Sequence, residues 1–396
     1  MNLVMDCYAA VMTGKGTGAI STIQIFGDSA QDIIMKIFQP AGKRQAEFEM
    51  GKILLGTIHD GDKKIDQVTI GCEKPRTFAI NCHGNPLLVE MIVQLLRRNG
   101  VQILTTEQLQ IKILTELKAG NTITIEAKLA QPKVKTLQGT KIVLNQIDSG
   151  LSKTAKGWLE NLDDIYPDKI KAEASRIIQI SRIAKLIIYG CKAVLTGPPN
   201  SGKSSLLNCL AGRQKSIVTE ISGTTRDWVT AECLIDSVSL ELIDTAGLDE
   251  KPQDAPDNIE KTAQKKALET LAQADLILLV LDNGQNDDID NQLIKRFTDK
   301  KILTILNKSD LPAKFDTDKL PHQLENTVKI SVKTGDVIDK LSERILQFTG
   351  AADFDPRNAV CFTNRQENLV MQLVTAKSKE QAASIITELL NGQVCV

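Results

Sequence analysis

The chain of 396 residues is long enough for two or three domains, and 48 basic against 49 acidic side chains leave a net charge of −1, without a global basic footprint for nucleic acid. Aromatic residues are only 4 %, which disfavours a recognition surface built on stacked bases. Eight cysteines, at 7, 72, 82, 191, 209, 233, 361 and 395, form no Cys-x-x-Cys pair, which argues against a zinc site or a disulfide framework and for a reducing cytosol.

Residues 1–104 read as a small α+β domain. Gly18–Phe26 is strand-like, Gly27-Asp28-Ser29 is a turn and cap, and 30–38 have helical spacing. Lys52–Ile58 and Gln67–Cys72 read as a strand pair about Asp60-Gly61-Asp62, and 86–98 as an amphipathic helix. From 105 to 188 apolar residues recur at three and four, predicting helices, and 357–391 read as helical again, ending near Asn391-Gly392. Domain termini usually lie close together, so 105–188 and 349–396 are expected to form one helical domain. The α/β segment 189–348 would be inserted into it. The expected fold is thus multidomain, α+β and α/β. No signal-peptide pattern opens the sequence and no apolar run reaches about 18 residues, so the expectation is a cytoplasmic protein without a membrane span.

Within 189–348, Gly197-Pro198-Pro199-Asn200-Ser201-Gly202-Lys203-Ser204 is a complete G-x-x-x-x-G-K-[ST] loop. The apolar run Lys192–Thr196 precedes it and a helical run from Ser204-Ser205 to Leu210 follows, which is the strand–loop–helix setting the motif requires. Its glycines let backbone N–H groups wrap a phosphate at a helix N-terminus. Lys203 supplies a point charge to the β- and γ-phosphates, and the Ser204 hydroxyl would ligate Mg²⁺. The strand Leu240–Asp244 leads into Asp244-Thr245-Ala246-Gly247, where Asp244 would hold Mg²⁺ through water and Gly247 would sense the γ-phosphate. Leu276–Leu281 reads as a buried strand, and Ile302–Leu306 delivers Asn307-Lys308-Ser309-Asp310. Asp310 can accept from both N1–H and the 2-amino group of guanine, a donor pair adenine lacks, so GTP is expected over ATP. Val328–Ser331 is the last strand, with Ser331, Val332 and Lys333 around the base. Together with Gly223-Thr224-Thr225-Arg226-Asp227, five elements of a guanine-nucleotide switch occur in order.

The loop 197–204 continued by Ser205-Leu206-Leu207-Asn208, the Gly223–Asp227 string and the three-part layout resemble the tRNA modification GTPase family MnmE/TrmE. Era and EngA GTPases share much of the switch pattern but not the layout. The resemblance implies a first switch over Ile217-Val218-Thr219-Glu220-Ile221-Ser222, with Thr219, Glu220, Ile221, Ser222, Gly223, Thr224 and Thr225 touching the nucleotide. It implies a K⁺ site built by Asn200 with Thr219, Ile221 and Thr224, where the cation offsets charge as an arginine finger does elsewhere. Thr225 matches a second Mg²⁺ ligand beside Ser204. No Gln follows Gly247; Leu248 stands there, Asp249 replaces a usual Arg, and 251–256 look inserted. Glu260 is the match for the water-positioning residue. The implied activity is GTP hydrolysis coupled to wobble-uridine modification of tRNA. It would involve potassium-dependent dimerisation of G domains in a homodimer and an MnmG-type flavoprotein partner.

The departures lie outside the switch domain. The family binds a one-carbon folate, but its Arg on the early strand appears here as Gln24 and its Glu ahead of a His-Gly-Gly string as Ala79, before His83-Gly84-Asn85. The usual Cys-Ile-Gly-Lys end is replaced by Gln393-Val394-Cys395-Val396. Folate binding is therefore expected to be weak or absent. A second reading follows: a regulatory GTPase that has lost folate and tRNA chemistry and binds another macromolecule.

Overall fold

The computed structural model describes residues 6–14, 16–42, 47–163, 167–212, 230–244, 269, 271–285, 297, 300–334 and 337–394. Two compact units divide the chain, residues 1–125 with 393–396 and residues 126–392.

The first unit is built on β1 (Cys7–Val11), β2 (Ile20–Gly27), α1 (Ala30–Ile37), β3 (Phe38–Pro40), β4 (Ile53–Asp60), β5 (Lys63–Lys74), β6 (Thr77–His83), α2 (Pro86–Arg98), β7 (Gln102–Ile103) and α3 (Thr106–Glu116). The strands form one sheet in the order β3-β4-β5-β6-β2-β1-β7. Period-two alternation places Ile23, Ile25, Ile58, Val68, Ile70, Phe78 and Ile80 in one core with Ile33 and Ile34 of α1 and Ile92 and Leu96 of α2. The sequence predicts β2, β4, β5 and the helices α1 and α2. It does not single out β1, β3, β6 or β7; in β6, Phe78, Ile80 and Cys82 join the core described above while Thr77 and Ala79, on the other face, are buried as well. Helix α2 starts where Asn85 accepts from the Leu87 N–H ahead of Pro86, and carries Arg97 and Arg98 in its last turn. Leu109 and Ile113 of α3 pack on Ala10 and Phe26, so the helical pattern beginning at 105 opens inside this first unit.

The chain passes into the second unit within α4 (Thr122–Ala130), followed by α5 (Leu137–Asp148), α6 (Gly150–Glu160) and α7 (Pro167–Tyr189). Next come β8 (Cys191–Thr196), α8 (Lys203–Gly212), β9 (Thr230–Ile235), β10 (Val238–Asp244), β11 (Leu276–Asp282), β12 (Lys301–Asn307) and β13 (Thr327–Lys329). The chain ends with α9 (Val337–Thr349), α10 (Asn364–Val374) and α11 (Lys379–Asn391). Helices from both sides of the sheet pack together: α7 against α5 and α10, α6 against α5 and α11.

Residues 357–363, expected to be helical, are not. Side chains of the earlier helices hold this stretch out of helix. Gln146 Oε1 accepts from the Val360 N–H at 3.0 Å and its Nε2 donates to Asn358 O at 3.0 Å. Ser181 Oγ accepts from the Cys361 N–H at 2.8 Å, and the Tyr189 hydroxyl donates to Phe362 O at 2.8 Å. Burial, with the Glu126 charge behind it, pushes the Tyr189 phenol up to about 12, so it stays a donor. Once these backbone groups are satisfied from outside, helix gains nothing there. Helix α10 then begins at its Thr363 cap and α11 at its Ser378 cap.

The second sheet runs β13-β12-β11-β8-β10-β9, parallel except for β9 against β10. Every residue of β11 is buried, as expected of a central parallel strand covered on both faces. The carboxyl ends of β8, β10, β11 and β12 converge on one edge, where open α/β sheets bind ligands.

Candidate nucleotide site

Strand β8 leads straight into the loop 197–202 and then α8, as the sequence predicts. Gly197 has φ +140 and a β-carbon there would lie 2.1 Å from Val280 O. Gly202 has φ +98 and a β-carbon there would lie 2.2 Å from Asn307 Nδ2. Both glycines are thus required by close backbone approach. Asn200 is left-handed, φ 62, which Asn tolerates better than most residues and which turns its side chain out of the strand direction. Lys203 is buried, and its Nζ donates to Gly197 O at 2.7 Å and Pro198 O at 3.0 Å, so the ammonium sits within the loop it serves. Ser204 and Ser205 occupy the first turn of α8. The Ser204 hydroxyl donates to Asp244 Oδ2 at 2.8 Å, bringing the two sequence-predicted magnesium ligands together from 40 residues apart. A hydroxyl and a carboxylate are hard oxygen donors and fit that ion.

At the base end, β12 delivers Asn307, 2 % exposed. Its Nδ2 donates to Ser201 O at 2.9 Å and its Oδ1 accepts from the Val332 N–H at 3.3 Å. One amide therefore ties the phosphate loop to the Ser331–Lys333 turn. Ser331 donates to Asp310 Oδ1 at 2.6 Å. That bond, with Lys333 and Lys308 nearby, holds the Asp310 carboxyl below the usual carboxylate range. Lys308 is left-handed, φ 60, a conformation that costs a residue with a β-carbon about 1–2 kcal/mol. Its Nζ donates to Asp282 Oδ2 at 2.7 Å. Asp282 was not singled out by the sequence, although it ends a buried strand as Asp244 does; that shared position was the available signal.

Of the residues assigned from sequence, Asn200, Ser201, Gly202, Lys203, Ser204, Ser205, Asp244, Asn307, Lys308, Asp310, Ser331, Val332 and Lys333 line this one edge of the sheet. Thr219, Glu220, Ile221, Ser222, Gly223, Thr224, Thr225, Thr245, Ala246, Gly247 and Glu260 lie outside the described residues, as does Cys395.

In the first unit, Gln24 and Ala79 are direct cross-strand partners. Gln24 Nε2 donates to Glu73 Oε2 at 2.5 Å, while its buried Oε1 has no partner. His83 is held by Asp66, which accepts from its backbone N–H at 2.9 Å and contacts its Nδ1 at 2.7 Å. Asp66 also accepts from the Gln67 N–H at 2.8 Å, so its buried carboxylate organises the β5–β6 end.

Residues 7–106 match the family model for the GTP-binding protein TrmE N-terminus, and residues 192–308 that for the 50S ribosome-binding GTPase. The tRNA modification GTPase MnmE of Bacillus licheniformis is 32% identical over 390 residues, covering 88% of this chain and 84% of that protein. That of Endomicrobium trichonymphae is 31% identical over 439 residues, covering 98% and 93%. The chain belongs to the MnmE family of tRNA modification GTPases. Like other MnmE-family members it is a GTP-hydrolysing enzyme. Among solved structures, the G domain of the T. maritima FeoB iron transporter is 28% identical, covering 40% of this chain and 98% of that one with a TM-score of 0.32. Among the described residues, no helix of this MnmE-family chain is long and apolar enough to cross a membrane.

Proposed function

We propose that this protein hydrolyses GTP in the service of tRNA wobble-uridine modification, with an MnmG-type flavoprotein as partner and potassium-dependent pairing of G domains in a homodimer as the switch. The observation that carries the GTP-hydrolysis part is the Ser204 hydroxyl on the Asp244 carboxylate at 2.8 Å beside the phosphate loop, and the tRNA-modification part draws on the similarity to MnmE proteins. The three-part organisation, 1–104, 105–188 with 349–396, and an inserted GTPase domain over 189–348, draws support from the packing of α7 on α10 and of α6 on α11, although α3 packs with the first unit rather than with these helices.

In this reading Lys203 and the N–H groups of the loop neutralise the phosphates, and Asp310 selects guanine. Ser204, Thr225 and, through water, Asp244 would hold Mg²⁺, which when bound spreads the charge developing between the β- and γ-phosphates. Asn200, Thr219, Ile221 and Thr224 would hold K⁺. Glu260 would orient the attacking water. Replacing sodium by potassium should raise turnover about tenfold or more, with a dependence on protein concentration, as expected of charge stabilisation at the transferring phosphate. The Asn200→Gly variant keeps the left-handed turn unstrained while removing the side-chain oxygen. It should bind GTP normally and lose the stimulation. Equal turnover in both salts, at every protein concentration, would sink the potassium switch.

The alternative, a regulatory GTPase of this family without folate chemistry, is favoured by the Gln24–Ala79 pair. Gln24 offers a neutral amide already given to Glu73, and Ala79 opposite it offers no acceptor. These residues do not fit charged recognition of a folate, since a lost charge-assisted pair costs roughly 1.5–3 kcal/mol. Calorimetry with 5-formyltetrahydrofolate should therefore show no binding at micromolar concentrations while GTP binds. Micromolar folate affinity would instead restore the complete tRNA-modifying reading.

A further inference from the structure

We propose that Asp282 is a positioning residue for guanine recognition and that it acts through Lys308. Strand β11 ends at Asp282, whose register partner on β12 is Asn307. The Asp282 side chain is 4% exposed, and both of its oxygens are used: Oδ2 by Lys308 Nζ at 2.7 Å and Oδ1 by the Gly284 N–H at 2.8 Å. The next residue completes a clamp. The Asn283 N–H donates to Asn307 O at 2.9 Å, and Asn283 O accepts from the N–H groups of Lys314 at 2.9 Å and Phe315 at 3.2 Å. The turn after β11 thus grips the guanine-reading loop at both ends, 307–308 and 314–315.

Lys308 stands between the two residues of that loop with fixed duties. Asn307 before it is tied to the phosphate loop, and Asp310 after it to Ser331. Its left-handed backbone, φ 60, sets the direction in which the chain leaves β12 and so where Asp310 arrives. A conformation disfavoured for lysine persists only where the surroundings over-determine it. The buried Asp282 carboxylate does so, because without the ammonium it would be a buried charge with no opposite partner. The loop is then set before nucleotide arrives, and binding does not bear the entropy of ordering it. Neither residue needs to touch the base for this to hold.

The inference rests on Asp310 reading guanine, and the two are separable in one series of GDP titrations on the full chain. Asp282→Asn keeps the shape and the acceptor for Gly284 while removing the charge. It should weaken GDP about tenfold, equivalent to 1.4 kcal/mol, and leave kcat at saturating GTP within about twofold. In a Lys308→Gln background the same substitution should change GDP affinity less than about twofold, the signature of two residues acting as one. Asp282→Glu, which retains the charge, should keep GDP affinity within about threefold of the parent and serves if the Asn variant folds poorly. Equal losses in both backgrounds, an Asp282→Asn variant with unchanged GDP affinity, or a fall in kcat without a rise in KM would each overturn the proposal. If Asp310→Asn also leaves GDP affinity intact, it is the guanine reading itself that has failed.

Discussion

Replacing Asp310 by Asn should cost about a thousandfold in affinity for GTP and raise affinity for xanthosine triphosphate, because a site built to pair donors rejects a partner that cannot supply them. The carboxylate accepts where guanine presents N1–H and the 2-amino group; an amide turned to the same edge opposes a donor to a donor. Xanthine carries a carbonyl in place of the 2-amino group and so suits the amide. The loop itself should survive the change, since Asn307 still bridges Ser201 and Val332. Competition of GTP and xanthosine triphosphate for the same site measures the switch, and unchanged GTP affinity would remove Asp310 from the base. A pH profile adds a second check. The Ser331 hydroxyl lowers the Asp310 pKa, so the ionised form persists as pH falls below the ordinary carboxylate value. Guanine binding should hold from pH 7 down to about 5, and decline only as pH drops through the lowered value.

Arg365→Ala should destabilise the second unit by about 3–5 kcal/mol, the range for breaking one side of a buried ion pair. Arg365 and Glu126 side chains are 10% and 4% exposed. The guanidinium meets the carboxylate as a fork, Nε to Oε1 at 2.8 Å and Nη2 to Oε2 at 2.9 Å. Glu126 also accepts from Gln366 Nε2 at 2.7 Å and Thr363 Oγ1 at 3.0 Å. Arg365 in turn donates to Glu388 O at 3.0 Å and Leu389 O at 3.1 Å, satisfying the carbonyl end of α11. The deletion therefore strands a buried charge and takes a donor from two carbonyls, of which Glu388 O keeps the Gly392 N–H at 2.8 Å. Arg365→Lys should recover only part of the loss, because one ammonium cannot reproduce the fork. Removing both charges with Glu126→Leu and Arg365→Leu should be milder than Arg365→Ala alone. Urea unfolding followed by far-ultraviolet circular dichroism reads all three. A loss below about 1 kcal/mol for Arg365→Ala would show the pair to be solvated.

The phosphate loop and the strands around it were legible in the sequence because their signals are local. Gly197 to Ser204 are contiguous, Gly197, Asn200 and Gly202 among them take conformations that glycine or asparagine adopts cheaply, and Asp244 and Asn307 each sit at the end of an apolar strand that announces itself. The helix 86–98 and the end of the last helix at Asn391-Gly392 were legible for a similar reason, since amphipathic spacing and a terminal glycine are short-range marks, whereas the break between α10 and α11 was not. Strand β6 was not, because five to seven alternating residues with Ala79 and Asn81 among them carry little signal until β5 and β2 flank them.

What the sequence determined alone was the inventory from which the site is proposed: a phosphate-loop motif, a serine and an aspartate proposed for magnesium, an aspartate proposed to read guanine, and their order along the chain. Tertiary structure decided the pairings across long separations. It placed Gln24 opposite Ala79, Lys308 against Asp282, and residues 357–363 under Gln146, Ser181 and Tyr189 rather than in a helix. Backbone propensity acts over a few residues and leaves a periodic trace. The need of a buried polar group for a partner is equally strong but leaves no trace of where in the chain that partner lies.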